Sequence, residues 1–324
     1  MNVKKSQYMR RALLVGINHY DKNPLKGPIP DVDRMKEVIS KHENGDPNFD
    51  CKLMISNSDR HTITMVNLKS KLHDLFNYET DVALFYFSGH GASTNLGSYL
   101  VTQDAEKFNE GVSLSEVITM ANNSKAMEVI IILDCCYSGG GGNFSELGVR
   151  KAILREGVSI LTASKDSQYA MERGGYGVFT TIIYEALQGG ATDILGKVNV
   201  ARIYNYVDIV LNSWRQRPVF KSHVSKMIPL RNCNPKIPLK ILRKLPEYFE
   251  DKDGLPLSEN YLEHVGSESG LSTIMSHLRA YHANGLLLPE DNITSLDECA
   301  EKSKSCKLTP LGIYYKNLVI NDRI

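Results

Sequence analysis

The sequence lacks an excess of either charge. Its 324 residues carry 38 Lys+Arg against 37 Asp+Glu, for a formal net charge of +1. That balance gives no electrostatic reason to expect a nucleic-acid or membrane partner. Long apolar runs are also missing, and none approaches the ~18–20 residues of a membrane helix. The basic start, Met1 to Arg11, is followed only by Ala12 to Ile17 before Asn18-His19-Tyr20-Asp21 ends the run. No signal peptide is therefore expected, and the chain reads as cytoplasmic. The cysteines Cys51, Cys135, Cys136, Cys233, Cys299 and Cys306 contain no CxxC pair and no zinc-finger spacing with histidine. In a reducing compartment they are thiols. There are no repeats and no low-complexity tracts. With 42% hydrophobic and 23% charged residues, disorder, collagen-like repeats and coiled coil are excluded as the main organisation.

What is present is an alternation of strand and helix signals over the first ~230 residues. Arg11–Ile17, Cys51–Ile55, Asp81–Phe87, Val129–Leu133 and Val158–Leu161 read as strands, with a short one over Ser98–Val101 and a last one near Lys226–Pro229. Helical spacing appears over Asp31–His42, with Asp31 placed as a cap. It recurs over Thr62–Phe76, Ser113–Ala121, Phe179–Leu187 and Val198–Leu211. Continuous apolar strands alternating with helices mean an α/β fold with a mainly parallel sheet, its strands buried on both faces. The composition changes after Pro229, and Arg231-Asn232-Cys233-Asn234-Pro235 reads as a linker. Residues 236–324 read as helix, turn, helix, a Gly285–Ile293 hairpin and a terminal helix Pro310–Leu318, an order that suggests a small winged-helix-like module. Its 11 basic and 13 acidic residues leave it at −2, which disfavours a DNA reader and favours docking a protein partner or covering the first domain.

Two strand ends carry chemistry. Val82–Phe87 leads into Ser88-Gly89-His90-Gly91, and Val129–Leu133 leads into Asp134-Cys135-Cys136-Tyr137-Ser138-Gly139. In a parallel α/β sheet the carboxyl ends of strands line the ligand crevice. A histidine and a cysteine delivered there together are what nucleophilic cysteine catalysis needs. The flanking glycines allow tight turns and close backbone approach. Taken singly, His90 reads as a loop histidine and the thiol as a buried one. Jointly they lie 46 residues apart, close to the roughly 50-residue His-to-Cys spacing of caspases.

With these motifs the chain resembles the caspase-like cysteine peptidases, specifically the metacaspase and prokaryotic caspase-homologue branch. Leu14-Val15-Gly16-Ile17-Asn18 with Gly27 to Val32 is similar to the family's opening strand and acidic turn. Leu161 to Ser164 and Gly177-Val178-Phe179-Thr180 resemble its small-subunit part. The resemblance implies a sandwich of six mainly parallel strands between helices. It also implies a peptidase domain over 1–232, with a large-subunit part to about 145 and a small-subunit part over about 155–232; the resemblance covers roughly residues 10–230, and the accessory domain 236–324 lies outside it. It assigns Cys136 as nucleophile, His90 as acid and base, and the N–H groups of Gly91 and Cys136 as the oxyanion hole. Asp31 and Asp134 become the lining of the S1 pocket. Two carboxylates in one pocket select Arg, then Lys, before the scissile bond. Asp31 has a plainer reading as the cap of the helix after it.

The sequence departs from the family pattern at its calcium site. Gly91–Gln103 holds no acid, Leu114-Ser115 stands where an acidic pair belongs, and Asn143 stands about where another ligand would be. Calcium prefers six to eight oxygens, several from carboxylates. A calcium-independent enzyme with no cofactor is therefore expected. Arg150, Lys151 and Arg155 lie between the two subunit-like parts and are the candidate self-cleavage positions. The alternative is that this stretch is simply the next helix. The reading is a cysteine endopeptidase with protein substrates and a regulatory or recruiting C-terminal domain. A catalytically silent caspase-like scaffold acting through that domain is the alternative, and a DNA regulator is disfavoured by charge.

Overall fold

The computed structural model describes residues 10–56, 58, 62–107, 109–135, 137–138, 153–163, 172–212, 218–250, 254–262, 270–290 and 292–324. Its centre is a six-stranded sheet built from β1 (Arg10–Ile17), β2 (Phe49–Ser56), β3 (Val82–Ser88), β4 (Glu128–Asp134), β5 (Val158–Thr162) and β6 (Val219–His223), in the order β6-β5-β4-β3-β1-β2. Neighbours pair in parallel except β6, which runs antiparallel along β5. All seven residues of β3 are buried. An apolar run without polar alternation is what a strand covered on both faces requires.

Successive side chains of each strand go to opposite faces. Val82, Leu84 and Tyr86 of β3 join one core with helices α1 (Pro28–Ile39), α4 (Val178–Glu185) and α5 (Val200–Asn212), through Val32, Met35, Ile182, Ile183, Ile203 and Val207. Ala83, Phe85 and Phe87 join the other with α2 (Met65–Phe76) and α3 (Leu114–Asn122), through Leu68, Leu72, Leu114 and Val117. Local chemistry sets the helix starts. Thr64 accepts the Asn67 N–H ahead of α2, and Ser113 with Glu116 forms a capping box on α3.

Helix α1 begins at Pro28, three residues before the expected start, and Asp31 sits inside its first turn with its N–H on the Gly27 carbonyl at 2.9 Å. Proline has the right φ for the first helical position and loses no bond there. Asp31 is therefore not the cap. The last strand of the sheet is Val219–His223, not 226–229. An edge strand needs no continuous apolar run. Met227 and Ile228, which suggested a strand, instead pack against the α1-side core outside any strand.

A smaller sheet sits beside β3. Gly91–Thr94 lies between antiparallel Gly97–Leu100 and parallel Tyr137–Ser138, with Val112–Ser113 completing it. A further hairpin, Glu172–Arg173 with Tyr176–Gly177, turns through Gly174 and Gly175 at φ of 65° and 84°. Two successive positive φ values make this tight two-residue turn, which suits glycine.

Residues 193–196 and 235–324 form a second unit. Its antiparallel sheet has the order Gly254–Pro256, Ser305–Leu308, Leu287–Pro289, and its longer helices are Gly270–Ala283 and Pro310–Ile320. Its core contains Leu242, Leu245, Phe249, Leu278, Tyr281, Cys299 and Cys306. Among the described residues of the expected Gly285–Ile293 hairpin, Leu287–Pro289 forms a strand that pairs with Ser305–Leu308, beyond the helix Leu296–Glu301. Among the described residues no helix is long and apolar enough to cross a membrane.

Candidate active site

The site grows from the carboxyl ends of β3 and β4. Ser88 and Asp134 are register partners, and the Gly89 N–H reaches the Asp134 carbonyl at 3.3 Å. One step on, Gly91 is the register partner of Tyr137. The chain on both sides of His90 thus tracks the chain on both sides of Cys136. Cys136 itself lies outside the described residues, as do Asn143, Arg150 and Lys151. Cys135 is 1% exposed, in the core that also contains Tyr20.

His90 is half-buried and held on three sides. Its main-chain N–H donates to the Tyr20 hydroxyl at 3.0 Å, and that hydroxyl donates onward to the Val101 carbonyl at 3.3 Å. The Tyr20 ring packs against the imidazole, with centroids 4.6 Å apart. Burial holds the Tyr20 phenol well above its ordinary pKa, so it stays a neutral hydroxyl. A Cβ at Gly89 would fall 2.6 Å from that oxygen, so glycine is required for the approach. His90 Nε2 lies 2.6 Å from the main-chain oxygen of Asn23. A carbonyl only accepts, so Nε2 carries the hydrogen and Nδ1 of the neutral ring is left as the basic nitrogen.

The acidic residues converge on Gly177. Its N–H donates to Asp31 Oδ1 at 3.0 Å, and Ser88 Oγ donates to Asp31 Oδ2 at 3.1 Å. Asp134 Oδ2 accepts from Thr180 twice, from its N–H at 3.2 Å and its hydroxyl at 2.6 Å. The N–H is one of those left free by the first turn of α4, so the carboxylate also caps that helix. The Thr180 hydroxyl has one hydrogen and gives it to Asp134, so Tyr86, 2.6 Å away, donates to Thr180. Burial first, then Asp31 and Asp134, holds the Tyr86 phenol far above its ordinary pKa and keeps it a donor. A Cβ on Gly177 would meet Asp134 Oδ2 at 2.5 Å and Asp31 Oδ2 at 2.8 Å. Both acids therefore crowd one bare backbone position. Asp31 is 1% exposed, whereas Asp134 is half-buried.

Gly91 is buried and opens the central strand of the small sheet. Arg155 is held by main-chain oxygens, with Nη2 on Ala126 at 2.7 Å and on Ser124 at 3.3 Å, and Nη1 on Glu156. Among the described residues no three His, Cys, Asp or Glu side chains converge as a metal site.

Sequence reasoning did not single out Asn23, Tyr20, Tyr86 or Thr180. Asn23 acts through its backbone, which every residue has. Its one signal is the residue type, since asparagine tolerates the left-handed φ of 58° found there.

A mainly parallel sheet sandwiched between helices, with these loops at its carboxyl edge, defines a caspase-like α/β fold. The solved structures similar to it include two from different sources. Protein GSU0716 from Geobacter sulfurreducens is 15% identical with a TM-score of 0.50, over 70% of this chain and 98% of that one. Caspase-1 from Spodoptera frugiperda is 13% identical with a TM-score of 0.50, over 70% and 91%. No curated protein matches the chain by sequence. The caspase domain family matches residues 9–229, and the chain belongs to that family. By family it is a cysteine peptidase, a hydrolase with protein substrates.

Proposed function

We propose that the chain is a cysteine endopeptidase of metacaspase type that cuts after arginine, and after lysine more slowly, through Cys136 and His90. The observation that carries the reading is the shared register of the two loops, Ser88 with Asp134 and Gly91 with Tyr137, beside the acid pair at Gly177. An arginine guanidinium presents planar paired donors to carboxylate oxygens, and a lysine ammonium only a point charge.

In this mechanism Cys136 gives its proton to Nδ1 of His90 and its sulfur bonds to the scissile carbonyl carbon. The oxyanion is held by the N–H groups of Gly91 and Cys136, each worth roughly 3–4 kcal/mol of barrier. The carbon–nitrogen bond breaks as His90 returns the proton to the leaving amine. Water then loses a proton to His90 and its oxygen bonds to the thioester carbon. The carbon–sulfur bond breaks and the thiolate is regenerated. Asn23 fixes the ring throughout by accepting from Nε2.

Activity is independent of calcium, and self-cleavage falls at Arg150 or Lys151. Arg155 would have to leave its main-chain partners to serve. The C-terminal unit recruits a protein partner, and the enzyme is cytoplasmic.

The test is hydrolysis of peptides that differ only in carrying Arg, Lys or Asp before the scissile bond, with Cys136→Ala as control and with a chelator present and absent. Cleavage after Arg by the intact protein alone is the expected result. A preference for Asp removes the pocket assignment. Failure of an arginyl chloromethylketone to label Cys136, together with no hydrolysis, makes the chain a silent scaffold.

A further inference from the structure

The proposed pocket depends on where Gly177 sits, and a group outside that pocket fixes it. Arg34 lies one helical turn beyond Asp31 on α1, so both project from one side of the helix. Its Nη1 donates to Thr181 Oγ1 at 3.1 Å, and that hydroxyl donates to the Gly177 carbonyl at 2.9 Å. The same guanidinium lies over the Tyr176 ring, 3.4 Å from its centroid, with Tyr184 at 5.5 Å. Helix α1 thus grips one residue from three directions. Asp31 holds the Gly177 N–H, Thr181 relays Arg34 to the Gly177 C=O, and the neighbouring ring is clamped beneath the guanidinium.

We infer that Arg34 is a specificity-positioning residue, acting with Thr181 and Tyr176 to set the placement of Gly177 between Asp31 and Asp134 and so the discrimination for a cationic side chain. The inference rests on the proposed reading of Asp31 and Asp134 as a cation pocket. Arg34 itself touches neither substrate nor the reacting atoms. A planar guanidinium can stack on a ring and donate in its own plane at once, which an ammonium cannot do. Arg34→Lys therefore keeps the charge and loses the strap.

The experiment uses the full chain and three peptides that differ before the scissile bond, with Arg, with Lys, and with citrulline as the uncharged isostere of Arg. Arg34→Lys and Thr181→Val are compared with wild type, and Thr181→Ser restores the relay hydroxyl. Each of the first two is expected to raise KM for the Arg peptide about tenfold and to cut the Arg-over-citrulline preference about fivefold or more, with kcat within about threefold. Thr181→Ser should recover the wild-type ratio. The alkylation rate of Cys136 by iodoacetamide, read by mass spectrometry of its peptide, should not move.

A folded Thr181→Val or Arg34→Lys protein with wild-type preference overturns the inference. So does an equal loss on all three peptides with slowed alkylation. If Arg34→Lys does not fold, the Thr181→Val and Thr181→Ser pair decides. A wild type that does not distinguish Arg from citrulline overturns the pocket reading and this inference with it. Retained preference in the variants overturns this inference alone.

Discussion

The main-chain oxygen of Asn23 lies 2.6 Å from His90 Nε2, and Asn23 holds a φ of 58° to place it there. The orienting group is a backbone atom, so its identity is set by conformation and not by side-chain chemistry. Glycine adopts this φ freely, whereas a β-branched residue is strained by about 1–3 kcal/mol. Asn23→Gly should therefore keep kcat near wild type. Asn23→Val should lower kcat roughly 10–100-fold with little change in KM, the range expected when positioned proton transfer is impaired. Equal activity of the two variants in steady-state assays would show that the carbonyl does not orient the ring.

Thr180 is the second test. Its hydroxyl links the buried Tyr86 to Asp134, one of the two acids that crowd Gly177. Thr180→Val conserves shape and removes a buried donor from the carboxylate, at a cost of about 1–3 kcal/mol in stability. It should also weaken selection of basic over neutral peptides, with Thr180→Ser recovering most of both losses. Thermal denaturation and paired kcat/KM measurements report the two effects separately. Recovery of stability without recovery of selection would limit Thr180 to a packing role.

Glu128 makes a pH prediction at the opposite end of β4 from the site. It is 2% exposed, its Oε2 accepts the Ile228 N–H at 2.8 Å, and its Oε1 is buried without a partner. Burial pushes its carboxyl up from 4.5 to about 7, against the pull of the Ile228 N–H and Arg10. Between those two values the unfolded chain has released the proton and the folded chain retains it. The contribution is therefore full below about 4.5 and is lost as pH rises through about 7. Glu128→Gln removes this slope and places an N–H₂ where the unpaired oxygen stood. In denaturant titrations the variant should gain stability on wild type between roughly pH 5 and pH 8, by about 1–3 kcal/mol. A difference that does not vary with pH would mean Glu128 titrates as an ordinary carboxylate.

The sequence made the centre of the fold legible because β3 and β4 carry unbroken apolar runs, Val82–Phe87 and Val129–Leu133, that lead directly into the loops of His90 and Cys136. The same rule fails at the margins. Val219–His223 is an edge strand with half-exposed residues, and its pattern is no more apolar than a loop's. The strands Leu287–Pro289 and Ser305–Leu308 are too short to show a period, and their pairing crosses a helix. In the site, His90, Asp31 and Asp134 stand out as residue types with chemistry. The Asn23 carbonyl, the bare backbone of Gly177 and the Arg34 strap act through conformation and through contacts between distant segments. No local pattern announces these.

The elements around the acid pair come from two stretches of chain that the sheet holds together independently of the peptide link between them. Strand β5 is zipped to β4 from Val129 with Val158 to Leu133 with Thr162, and α1 is tied to Gly177 and Thr181. A nick anywhere between residues 139 and 152 would therefore leave two fragments that travel as one particle in native separations and part only under denaturant. The Asp31–Gly177 contact would outlast the covalent bond.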